Sequence, residues 1–101
     1  MVRELTRNTA FSRDYSLKDQ ISRAAGSAMH NVAEGFDAEG NVEFVRFLRY
    51  AKRSCTEVQS QLYEALDAGY IDQNEFEGVY NQASETRKTI RGFINYLTSP
   101  T

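Results

Sequence analysis

The stretch NVEFVRFLRYAKRSCTEVQSQLYEALDAGYID, residues 41–72, decides the fold. Within it Phe44, Phe47, Leu48, Ala51, Cys55, Val58, Leu62, Ala65 and Leu66 recur largely at steps of three and four. At 100° per residue these positions share one stripe, so the spacing predicts an amphipathic helix over 41–68. Gly69 stands where a left-handed residue closes a helix. Asp72, with Glu75 three residues on, has the chemistry of a capping box, in which two carboxylates satisfy free backbone donors reciprocally. A link this short folds the following helix back antiparallel to the first.

Working outward, residues 72–98 repeat the pattern with Phe76, Val79, Tyr80, Ala83, Ile90, Phe93, Ile94 and Leu97. Upstream, residues 16–34 carry Leu17, Ile21, Ala24, Ala28 and Val32 on a shorter stripe. Ser16 with Asp19 offers this helix a weaker start, and Asn41 has the side chain to cap the central one. Gly35 to Asn41 is a break between helices, and Asn8 to Ser16 another. The only proline is Pro100, so none interrupts a helix. The small-residue run Ala24-Ala25-Gly26-Ser27-Ala28 reads as a place where a neighbouring helix approaches closely. Before it lies a thin apolar segment, with Val2, Leu5 and Ala10 over 2–10. The expected fold is all-α: one domain over 1–101, an antiparallel up-down four-helix bundle with a short N-terminal helix (helices about 2–10, 16–34, 41–68 and 72–98).

Composition narrows the function classes. The 101 residues are 41% hydrophobic and 26% charged, with six Phe and six Tyr, which is ordinary for a folded domain. A net charge of −2 supplies no global field to gather nucleic acid or an acidic membrane, so such a role needs a local patch. One cysteine excludes an internal disulfide and fits a reducing compartment. No apolar run reaches the ~20 residues that span a bilayer, and Met1-Val2-Arg3-Glu4 opens no signal sequence. The expected location is the cytoplasm, with no membrane partner.

Leu17, Gln20-Ile21, Arg23-Ala24-Ala25, Ser27 and the run Asn31-Val32-Ala33-Glu34-Gly35-Phe36 carry a resemblance. It continues through Glu43-Phe44, Phe47-Leu48, Ala51, Ser54, Glu57, Gln61-Leu62, Ala65 and Gly69-Tyr70-Ile71. The sequence resembles the bacterial four-helix-bundle proteins first noticed as products of intervening sequences in large-subunit ribosomal RNA genes. The resemblance covers about Phe11 to Leu97. It implies a left-handed up-down-up-down bundle, cyclic homo-oligomers including pentamers, and no enzymatic activity. It also implies a relationship to the accessory protein of diversity-generating retroelements, which has a similar fold and binds nucleic acid. The departure from the family pattern is the shortened first helix. Residues 2–10 make a helix of roughly 14 Å against ~40 Å for the central one. That segment cannot line a whole three-helix groove, and soluble monomers rarely leave large apolar patches bare. A second copy of the chain is therefore the expected cover.

No constellation for catalysis is present in the sequence. Cys55 falls in the apolar stripe as a small buried hydrophobe. His30 lies on the outer face of its helix with Glu34 one turn on, which reads as a surface pair. A zinc site lacks its second His or Cys, the Glu-x-x-His pair of di-metal bundles is missing, and no phosphate loop occurs. No cofactor and no metal are expected.

The sharper feature is basic. Between Phe44 and Thr56 there is no acid, and Arg46, Arg49, Lys52 and Arg53 fall there. Arg46, Arg49 and Arg53 project within about 60° of one another, opposite the apolar stripe, with Tyr50 on their flank. Two readings stand: contact with RNA or DNA phosphates, Tyr50 stacking on a base, or a solvated face paired with carboxylates. Arg87 and Arg91 border the last helix's apolar stripe, and Arg3 and Arg7 form another pair. Edge arginines of this kind suit a subunit interface, where Glu57 and Glu64 are candidate partners. The sequence thus points to a non-enzymatic oligomeric bundle that binds nucleic acid or a nucleoprotein through Arg46, Arg49, Tyr50, Lys52 and Arg53. The alternative is a protein–protein adaptor that uses apolar grooves alone.

Overall fold

The computed structural model describes residues 2–100, and within them five helices follow one another: α1 (Val2–Thr6), α2 (Thr9–Arg13), α3 (Tyr15–Phe36), α4 (Asn41–Asp67) and α5 (Gln73–Thr98). The helix expected over 2–10 is in fact two short ones. Its first part closes with Arg7 N–H and Asn8 N–H donating to Glu4 and Leu5 carbonyls. Asn8 then accepts from Ala10 N–H at 3.0 Å and caps α2. An Asn side chain competes with the helix ladder for backbone groups, and here that competition divides the segment.

Two other caps differ from the sequence reading. Asp14, not Ser16, caps α3, its Oδ1 accepting from Leu17 N–H at 3.0 Å. Ser16 Oγ instead accepts from Gln20 Nε2. Gly40, not Asn41, is the N-cap of α4, with no side-chain cap hydrogen bond. The α4–α5 turn follows the sequence. Gly69 has φ +76°, Tyr70 N–H donates to Ala65 carbonyl at 3.0 Å, and the Asp72/Glu75 box closes at 2.8 and 3.1 Å. Gly69 suits this position because a Cβ there would crowd its own backbone.

α4 packs along both α3 and α5, while α1 and α2 lie against α3. The result is a slab of 50 × 21 × 16 Å with α4 as its spine. The apolar interior divides in two. The near cluster joins Leu5, Phe11, Ile21, Leu62, Ile71 and Phe76 with their neighbours, and here the N-terminal helices close the core. Phe11 is fully buried, beside Tyr70 at 5.5 Å between ring centroids, and Tyr70 OH donates to Asp14 Oδ2 at 3.0 Å. The far cluster is built from Val45, Leu48, Ala51, Cys55, Ile90 and Ile94.

A polar belt separates the two clusters. Gln59 is buried, and its Nε2 donates to Tyr80 carbonyl at 3.2 Å and Ser84 Oγ at 2.8 Å. Its Oε1 accepts from Arg87 Nη1 at 3.0 Å. On the other flank Ser54 Oγ and Ser27 Oγ are 3.0 Å apart, and Asn31 Nδ2 donates to Ser27. The small-residue run around Ser27 is only partly a packing seam. Ala24 is buried, but Gly26 faces outward and a Cβ there would meet nothing. Close approach occurs further on, at Gly35, where a Cβ would come within 3.0 Å of the Phe44 ring.

Candidate nucleic-acid interface

Because α4 is held on both sides, only its outer arc is free, and the helical repeat fixes which residues occupy it. Arg46, Arg49, Tyr50 and Arg53 are exposed along the N-terminal half of that arc; Lys52 is half-buried at its edge. Arg46 is already engaged: Nη2 lies 2.8 Å from Glu43 Oε2, and the guanidinium sits 5.6 Å from the centroid of Phe47. Arg49 and Arg53 make no ion pair among the described residues. Tyr50 is 40% exposed, and its ring meets Phe47 edge-on at 6.3 Å. The arc therefore presents two uncommitted guanidinium groups, a third shared with Glu43, and an aromatic ring between them. That arrangement can neutralise phosphates and offer a stacking surface.

The interface residues read from sequence are placed differently from one another. Arg87 turns inward to Gln59, and its Nε is buried with no hydrogen-bond partner among the described residues. Arg91, Glu57 and Glu64 are exposed, and no ion pair joins them within the chain among the described residues. His30 and Glu34 form the surface pair, at 4.0 Å. Cys55 is buried, which pushes its thiol pKa up, and the nearby Arg87 charge opposes that shift. Among the described residues no three His, Cys, Asp or Glu side chains gather as metal ligands would. No helix among them is long and apolar enough to cross a membrane.

Sequence reasoning missed a second feature. α3 and α5 are bridged by side chains such as Phe36 and Phe93, whose rings meet edge-on at 5.9 Å. Beside this contact runs an open, mainly apolar channel of about 340 Å³ lined by Val32, Phe36, Leu48, Ile90 and Phe93, together with Gln82, Glu85, Thr86 and Thr89 of α5. Phe36 is 62% exposed, and Met29 of α3, Val42 of α4 and Tyr96 of α5 are exposed too. The signal for it was the position of Phe36, apolar yet beyond the helix expected to end at residue 34. Gln59 was also missed; a polar residue 40° from Cys55 on the apolar stripe marks a buried hydrogen-bonding node.

Comparison with known proteins identifies a family and a similar fold. The family model of the 23S rRNA-intervening sequence protein matches residues 1–92. The fold is similar to a crystal structure of a protein with unknown function from the S23 ribosomal protein family of Bacteroides thetaiotaomicron VPI-5482. The TM-score is 0.83 at 22% identity, over 90% of this chain and 82% of that one. No curated protein matches.

Proposed function

Because this chain belongs to the family of 23S rRNA-intervening sequence proteins, we propose that it acts without a catalytic centre, as a self-associating bundle that holds nucleic acid on the outer arc of α4. The carrying observation is the open channel between α3 and α5. Large apolar side chains in water are costly at ~25 cal/mol per Å², and burying Phe36, Phe93 and their neighbours against a second copy recovers that free energy. The bare guanidinium groups of Arg49 and Arg53 support the second half of the reading. One such arc binds phosphate weakly; a ring of copies, five by the family resemblance, multiplies it. Exposed Arg91, Glu57 and Glu64 are the candidate ion pairs between copies. We place the protein in the cytoplasm, where its single thiol stays reduced.

Two measurements test this. Light scattering on the purified chain is expected to give a multiple of the chain mass, and Phe36→Glu to reduce it towards one copy. A strictly monomeric wild-type chain would defeat the assembly. Retention of labelled RNA is expected to fall steeply with added salt and to be lost in the Arg46→Glu/Arg49→Glu/Arg53→Glu variant. Unchanged retention in that variant would leave the adaptor reading, which the exposed Phe36, Val42 and Tyr96 favour.

A further inference from the structure

Resting on the nucleic-acid reading above, we infer that the α4 arc selects single-stranded RNA or DNA over duplex, with one base stacked on Tyr50. Three observations converge. First, α4 is packed against α3 on one side and α5 on the other, so only its outer arc reaches solvent. A helix reads a duplex by entering a major groove about 8.5 Å deep, which requires a helix that protrudes. This one does not, and the major groove of A-form RNA is narrower still.

Second, the arc holds an exposed aromatic ring among cations. Tyr50 follows Arg46 by four residues and precedes Arg53 by three, so both guanidinium groups neighbour it on the same face. In a duplex the bases already stack on one another, and an outward ring finds no partner. In a single strand each base has a free π-face, and stacking on an aromatic is insensitive to sequence. The Tyr50 ring is braced from within by Phe47, which itself carries the Arg46 guanidinium on its face. Third, the axial rise from Arg49 to Arg53 is about 6 Å. That length suits neighbouring phosphates of a strand laid along the helix, with Arg49 and Arg53 contacting them and the intervening base turned to Tyr50.

Fluorescence anisotropy on the intact chain decides this, using a labelled 20-nucleotide oligouridine and a labelled RNA duplex of the same length. Oligouridine is expected to bind about tenfold more tightly than duplex. Tyr50→Ala is expected to weaken oligouridine about tenfold, within the range for loss of one stacked base, and to leave duplex affinity and the salt slope unchanged. Tyr50→Phe keeps the ring and retains binding. Arg49→Glu/Arg53→Glu flattens the salt slope by about 0.7 per lost phosphate contact. Equal or tighter duplex binding, or an unaffected Tyr50→Ala, overturns single-strand selection while the nucleic-acid function stands. Binding of neither probe by the wild-type chain removes both. Tyr50 points outward, so its variants are expected to keep the wild-type helical circular dichroism, which is checked in parallel.

Discussion

Two glycines show how far a single position's surroundings decide its chemistry. Gly26 and Gly35 both lie within α3, and helix propensity alone favours Ala at either. At Gly26 the added methyl meets open space, so Gly26→Ala is expected to stabilise the fold by about 0.5–1 kcal/mol. At Gly35 the methyl meets the Phe44 ring at 3.0 and 3.2 Å, and that ring is hemmed by Phe36 and Phe93. Overpacking of that kind costs ~1–3 kcal/mol, so Gly35→Ala is expected to destabilise. Urea unfolding of both variants checks the opposite signs. Residue-level reading of the sequence did best where a period governs. Leu48, Ala51, Cys55, Val58, Leu62 and Ala65 are all buried, as their stripe required. It missed Val45, Ser54 and Gln59, also buried, because α4 is flanked by two helices and its covered arc is wider than one stripe.

The elements were legible in type and order, and less so at their starts. A cap depends on the φ/ψ of the residue entering the helix, which no apolar period encodes. Gly40 and Asp14 therefore displaced Asn41 and Ser16 by one and two residues. The docking of α2 was beyond sequence altogether, since Asp14 and Tyr70 are 56 positions apart. This clasp has a pH signature. Donation from Tyr70 OH to Asp14 raises the Tyr70 pKa above its usual value near 10, and burial and the carboxylate charge add to the rise. A group whose folded pKa is raised contributes stability below its unfolded pKa and loses it as pH climbs through the folded one. Wild type is therefore expected to melt above Tyr70→Phe at neutral pH, and that difference is expected to vanish at alkaline pH, beyond 10. A constant difference across thermal melts from neutral to alkaline pH would count against the clasp.

At the scale of the whole molecule, the bundle closes at one end and stays open at the other. α1 and α2 seal the cluster around Phe11 and Leu62, whereas the cluster around Leu48 and Ile90 borders the α3–α5 channel. Amide hydrogen exchange at a dilution that separates copies is expected to run faster in the C-terminal half of α5 than in its first half. Assembly is expected to slow it selectively there. Uniform protection along α5, unaffected by dilution, would contradict the open end. The hydrogen bonds around Gln59 have a mechanical corollary. Greasy surfaces alone let neighbouring rods glide past each other, since one methyl replaces another at little cost. Sliding α5 by a single 5.4 Å turn against α4 would strand the Gln59 amide and the Arg87 guanidinium together in a dry interior. Those few polar atoms work as a detent, holding the long rods at one axial setting and keeping the cationic arc and the apolar mouth at a constant distance.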